Sequence, residues 1–255
     1  YASGHNCSAD WEVNGTSDDF VRTSWIPVQR VPDVDPGGDD SIQRVLSERG
    51  FEAYHAKQII DLEPEQLIRL LETLPEAYAH FLETSLDELG TLNSKYTETG
   101  NRQIELARLA QRRMSAAVEI LKNNSAARQA FKLSNEAMLL QARWQGYDLV
   151  WRPFQLGFFL LTLESLVNDT KDRDVMDLLW FPTGGGKTEA YLLVMSFITL
   201  YRRLDYGSLA SPDGTAVISR YTLRALTTDQ FRRMAATVCA TELTRIKHCD
   251  GDSGD

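Results

Sequence analysis

The sequence predicts an α/β architecture in its second half, preceded by a mainly α-helical region. Three observations carry this. Three consecutive glycines followed by Lys-Thr lie between a short apolar run and a longer one, at Phe181-Pro182-Thr183-Gly184-Gly185-Gly186-Lys187-Thr188-Glu189. A second short apolar run, Thr215 to Ser219, follows a Gly/Ser/Pro loop and precedes another helical pattern. Between about residues 40 and 145 the apolar positions repeat with the spacing of helices.

Composition sets wide bounds. The chain has 255 residues with 43% hydrophobic and 25% charged, ordinary values for a globular protein with a sizeable core. No apolar run approaches the roughly 20 residues of a membrane span, and the first residues lack the basic-then-apolar order of a secretory signal. Cys7, Cys239 and Cys249 give neither a disulfide framework nor a C-x-x-C pair, so the expected location is cytoplasmic, with no membrane partner. The net charge of −9 is unevenly spread. Residues 1–100 hold 7 Lys and Arg against 19 Asp and Glu, and residues 101–255 hold 20 against 17. The acidity lies away from the glycine loop, so the second half retains the means to build a basic face.

Three regions follow in order. Residues 1–38 read as extended, with Trp11 to Val13 and Phe20 to Val31 as strands punctuated by Pro27, Pro32 and Pro36. His5 and Cys7 are too few for a metal site and read as packed or exposed. Residues 39–148 read as a helical accessory domain. Ser41 is placed to cap a first helix, and Pro64 and Pro75 each sit where a helix would begin. Arg102 to Lys122 is the clearest helix, with Ile104, Ala107, Gln111, Met114, Val118 and Leu121 on one face. Arg108, Arg112 and Arg113 occupy the other, which reads as a solvated face, with a nucleic-acid contact as the alternative. Ser125 is expected to cap a helix reaching Trp144, ended by Gly146.

Residues 149–255 carry the chemistry. Val175 to Phe181 has the length of a buried strand, and Glu189 to Tyr201 the length of a buried helix. Glycines between strand and helix let backbone N–H groups converge on an anion, backed by the helix N-terminus. Lys187 is the candidate for the β- and γ-phosphates of ATP, and the Thr188 hydroxyl the candidate Mg²⁺ ligand. Phe181 stands where the pattern G-x-x-x-x-G-K-[ST] has its first glycine. Upstream, Trp151-Arg152-Pro153-Phe154-Gln155-Leu156 precedes an apolar helix, Phe158 to Val167. The Gln155 carboxamide offers both donors and acceptors, as an adenine edge requires. Downstream, Asp205 to Gly214 is a loop, Thr215 to Ser219 a strand, and Arg220 to Gln230 leads into a helix. Its hydroxyls, arginines and helix start suit phosphate oxygens of a nucleic acid.

Pro182-Thr183-Gly184-x-Gly186-Lys187-Thr188 resembles the first motif of superfamily 2 helicases and translocases. Thr222, Arg224, Leu226 and Gln230 resemble their P-T-R-x-L-x-x-Q motif, with one residue added after Thr, another before Gln, and no proline. Taken with Arg152-Pro-Phe-Gln-Leu156 and Gly4-His-x-Cys-x-x-Asp-Trp11, the pattern is most similar to the DrmA family, helicase-like subunits of bacterial DISARM anti-phage defence systems. The resemblance implies an incomplete RecA-like P-loop domain and an ATP-driven motor on DNA, single-stranded or duplex with a single-stranded end, working with a DrmB-like partner. It further implies Arg152, Gln155, Thr183, Gly184, Gly185, Gly186, Lys187, Thr188 and Glu189 as the ATP site, with Lys187 and Thr188 catalytic. Arg220, Thr222, Arg224, Thr227 and Gln230 become the nucleic-acid contacts. The alternatives are a nucleotide-gated binding module with a degenerate motor, or an RNA helicase. The family's acidic Asp-Glu motif, second RecA-like domain and arginine finger lie outside this sequence, so residues 1–255 alone are expected not to hydrolyse ATP above background.

Overall fold

Helical periodicity from residue 40 onward produces eight α-helices among the described residues of the computed structural model. Those residues are 9–12, 20–23, 38, 40–168, 175–181, 184–204, 214–220 and 224–249. They divide into two units, Tyr1–Val34 and Asp35–Asp255. In the first, β1 (Ala9–Glu12) pairs antiparallel with β2 (Phe20–Thr23), Trp11 opposite Val21. β2 falls inside the expected run from Phe20 to Val31, and β1 overlaps the expected run at Trp11 but begins two residues earlier. His5, Cys7 and residues 24–31 lie outside the described residues.

The second unit begins with α1 (Asp40–Glu48), which buries Ile42, Val45 and Leu46. β3 (Tyr54–His55) and α2 (Ala56–Asp61) follow, then α3 (Pro64–Leu89). Pro64 opens α3 at its first turn, as expected, but Pro75 does not begin a new helix: it is buried inside α3. A proline there removes one backbone hydrogen bond and crowds the preceding turn. Burial of Leu70, Leu71, Leu74 and Ala77 around it offsets that cost. A short 3₁₀ turn leads to α4 (Thr97–Asn123), where Ile104, Met114, Val118 and Leu121 of the expected apolar face are buried, Ala107 and Gln111 are partly so, and Ala117 is buried beside them.

α5 (Ser125–Trp144) is capped by Asn124, not by Ser125. The Asn124 Oδ1 accepts from the Ala127 N–H at 2.9 Å, because the residue ahead of the first helical turn is the one that retains extended backbone. Gly146, at φ +85°, ends the helix as the sequence indicated. β4 (Val150–Trp151) then pairs antiparallel with β3, which the sequence did not suggest, since two residues are too few to show a period. Trp151 is buried, and its indole N–H donates to Asn135 Oδ1 at 2.7 Å. Asn135 in turn donates to the Phe131 carbonyl, so a fully partnered polar chain fixes β4 on α5.

Next come α6 (Pro153–Val167), α7 (Lys187–Leu204) and α8 (Arg224–Cys249). Their contacts fix their directions. Gln155 meets Gly186, Phe158 stacks edge-on with Tyr191, and Phe159 with Phe197, so α6 and α7 run the same way. Glu189 meets Arg233 and Ser196 meets Thr241, so α7 and α8 do too. α5 packs on both α7 and α8, and α4 packs on α6.

Two expectations are corrected here. Residues 175–181 and 215–219 are not strands: both lack regular secondary structure and have no ladder partner among the described residues. A strand is defined by its neighbour, and neither run has one among the described residues. The first keeps a strand's two-residue alternation: Met176, Leu178 and Trp180 are 87%, 80% and 78% exposed, while Asp177, Leu179 and Phe181 are partly buried. In the second, Ile218 is 74% exposed. The second unit is therefore helical, with only the β3–β4 ladder among its described residues. None of the described helices is long and apolar enough to cross a membrane.

Candidate functional site

The site forms where the starts of α6 and α7 come together. Pro153 occupies the first turn of α6, which leaves Arg152 at the cap with extended backbone. The Arg152 N–H donates to Gln155 Oε1 at 2.8 Å. The Arg152 guanidinium reaches out and donates through Nη1 to the Gly185 carbonyl at 2.6 Å. Gln155, 3% exposed, donates through Nε2 to the Gly186 carbonyl at 2.7 Å. Two side chains from one helix start thus hold two successive carbonyls of the glycine turn.

The turn itself uses its glycines unequally. Gly184 and Gly186 have φ of +82° and +88°, backbone that other residues enter at a cost of about 1–2 kcal/mol. A Cβ on Gly184 would meet nothing within 4 Å among the described residues, but one on Gly186 would stand 2.8 Å from Gln155 Nε2. Lys187 is the first residue of α7, and its ammonium donates to the Phe181 carbonyl, closing the ends of the loop. Phe181 also stacks on Phe154 of α6, with centroids 4.1 Å apart. An aromatic ring at 181, where the general pattern has glycine, therefore anchors the loop entrance.

Asp177 provides a second anchor. Arg113 of α4 grips it with both guanidinium nitrogens, at 2.6 and 2.9 Å, and donates to the Leu161 carbonyl of α6 at 2.7 Å. Sequence reasoning placed Arg113 on a solvated or nucleic-acid-facing stripe with Arg108 and Arg112. Those two are exposed, but Arg113 is turned inward to an acid 64 positions away, a pairing no local pattern signals.

Glu189, one turn into α7, pairs with Arg233 of α8. Tyr147, just past α5, lies within reach of both charges: burial and then the Glu189 carboxylate push its phenol up, and Arg233 opposes them. Thr188 is half-buried at the second position of α7. Of the remaining expected residues, Thr183 and Thr222 lie outside the described residues, as does the Arg224 side chain at the start of α8. Arg220 is exposed in the segment before α8, Thr227 is exposed on its first turn, and Gln230 is buried on its next turn. The structure brings Arg152, Gln155, Gly184, Gly185, Gly186, Lys187 and Glu189 together, and Arg233 joins them unannounced by the motifs.

A helix start preceded by two left-handed glycines, with a lysine as its first residue, is chemically suited to an anion. The same residues fit a nucleotide phosphate: the open side of Gly184 leaves room for close backbone approach.

No protein-family model matches the chain. Over a 273-residue alignment it is 32% identical to the DISARM protein DrmA of Bacillus paralicheniformis, covering 97% of this chain. The chain is thus related to DrmA along nearly its whole length, while it spans 24% of the length of that relative.

Proposed function

We propose that this chain is the ATP-binding part of a DNA helicase or translocase, acting as the DrmA-like subunit of a DISARM anti-phage complex beside a DrmB-like partner. The observation that carries the reading is the glycine turn Gly184–Gly186, held by Arg152 and Gln155 against the start of α7. Its sequence context is DrmA-like throughout.

Helix direction supports a RecA-like architecture for this half. Consecutive parallel helices need a connection that runs back along their length, and in α/β folds that connection is a strand. Residues 175–181 and 214–220 lie in those two connections. Their exposed apolar side chains, Met176, Leu178, Trp180 and Ile218, are what a sheet would cover.

When bound, Mg·ATP would supply the phosphoryl group and a cation to neutralise its charge. The chain's own residues would hold it. Lys187 would exchange the Phe181 carbonyl for phosphate oxygens, and the Thr188 hydroxyl would face the cation. Gln155 retains one N–H and one lone pair after its two backbone bonds, the complement that an adenine edge takes. Arg220, Thr222, Arg224, Thr227 and Gln230 would position a DNA strand by its phosphates at the start of α8. The test is hydrolysis of ATP by the complete protein with its partner, with and without single-stranded DNA. Stimulation by DNA is expected, and a rate indifferent to both DNA and Lys187→Ala would overturn the reading.

A further inference from the structure

Arg233 lies in the third turn of α8 and donates to Oε1 of Glu189, two residues after Lys187. Both side chains are largely removed from water, at 24% and 18% exposure. The other carboxylate oxygen, Oε2, lies 3.5 Å from where a Gly186 Cβ would stand, so the carboxylate sits between the loop's last glycine and α8. Arg152 Nη1 lies 3.5 Å from the same point. Two turns farther on, the same two helices are joined again by Ser196 Oγ and Thr241 Oγ1, 2.9 Å apart and buried. That neutral bond packs the helices. Of the two contacts, the charged pair is the one beside the loop.

We propose that Glu189 and Arg233 are positioning residues that couple the phosphate loop to α8, so that nucleotide and DNA strengthen each other's binding. This rests on the motor reading above. A triphosphate entering the turn brings negative charge close to the Glu189 carboxylate. Repulsion between the two falls when Arg233 is fully engaged, because an opposite charge a few ångströms away is only weakly screened in a half-buried site. Nucleotide therefore favours the arrangement in which α8 is drawn onto α7. DNA that orders the start of α8 favours the same arrangement, and linkage makes the effect reciprocal. Losing either partner leaves the other charge half-buried and the helix start free to settle without the loop.

The experiment uses the complete protein with its partner and measures single-stranded DNA affinity with and without a non-hydrolysable ATP analogue. In the natural protein the analogue is expected to tighten DNA binding by about 5–150-fold. Arg233→Gln and Glu189→Gln should each bring that ratio close to one, and the double variant should lower it no further. Arg233→Lys should retain part of it. Ser196→Ala, which breaks only the neutral bond, should leave it intact. A ratio of one in the natural protein overturns the coupling, as does an unchanged ratio in both single charge variants or an equal loss in Ser196→Ala. In each case DNA-stimulated hydrolysis would still uphold the motor. Failure of the natural protein to bind nucleotide overturns the motor and the coupling together.

Discussion

Gln155 Nε2 donates to the Gly186 carbonyl at 2.7 Å, and the same nitrogen would stand 2.8 Å from a Cβ placed on Gly186. One close approach thus fixes both the loop and the identity of its last glycine. Gly184 has the same left-handed backbone without the neighbour. Gly184→Ala should therefore cost only the backbone strain of about 1–2 kcal/mol, whereas Gly186→Ala adds displacement of Gln155. The nucleotide dissociation constant, measured with a fluorescent ATP analogue, should rise clearly more for Gly186→Ala. The reverse order would place the critical approach elsewhere in the turn.

Gln155 is asked to do two things, and they separate by choice of nucleotide. Gln155→Ala leaves the Arg152 N–H and the Gly186 carbonyl without their partner, a cost of about 1–3 kcal/mol that any triphosphate should feel through the loop. Adenine contact would add a loss for ATP that UTP does not share. Titrating both nucleotides reads the two parts, and an equal loss assigns Gln155 to fastening the loop alone.

Lys187→Ala removes the one cation that begins α7 while Arg152 and Gln155 still hold the turn. DNA-stimulated hydrolysis should fall at least about a hundredfold, since charge stabilisation dominates phosphoryl transfer. The melting temperature should change little. A hydrolysis rate close to that of the natural protein would remove Lys187 from the chemistry.

The glycine loop was legible because its chemistry is local: three glycines, a lysine and a helix fit in about a dozen residues. Helices were legible wherever their apolar face repeated, as in α4. Pro75 was misread because tertiary burial outweighs a local breaker, and Arg113 because its partner is 64 positions away. The runs at 175–181 and 215–219 have strand composition, but pairing is a property of the neighbour and cannot be read from one run. Arg233 falls outside every motif that the sequence displays. Its pairing with Glu189 needs two helices side by side.

Asn124 has two tasks as well. Its Oδ1 caps α5 by accepting from Ala127, and its Nδ2 donates to the Tyr201 hydroxyl of α7 at 3.1 Å. Asn124→Ala should cost about 1–2 kcal/mol of stability, mostly through the lost cap. Asn124→Asp keeps the acceptor and loses the donor, and should recover most of that loss. Denaturant titration of both variants checks the ordering. Equal destabilisation would mean that the bond to Tyr201 matters more than the cap.

Arg113 and Arg220 test whether basic residues in this chain serve the fold or the nucleic acid. Arg113 makes three charge-assisted bonds, two to Asp177 and one to the Leu161 carbonyl, so its bonding is taken up inside the protein. Arg113→Ala frees the run that leads into the glycine turn and leaves Asp177 mostly buried without that grip. Stability should fall by about 1–3 kcal/mol, and nucleotide affinity should fall with it. The salt dependence of DNA binding should be unchanged, because Arg113 releases no counterion from DNA. Arg220 is exposed in the segment before α8. Arg220→Ala should leave the melting temperature unchanged and flatten the slope of log affinity against log salt by about one. Fluorescence anisotropy of labelled single-stranded DNA at several salt concentrations measures both slopes. A flattened slope in Arg113→Ala would give that residue to the nucleic-acid face that the sequence offers as the alternative, and an unchanged slope in Arg220→Ala would move the DNA path away from the start of α8.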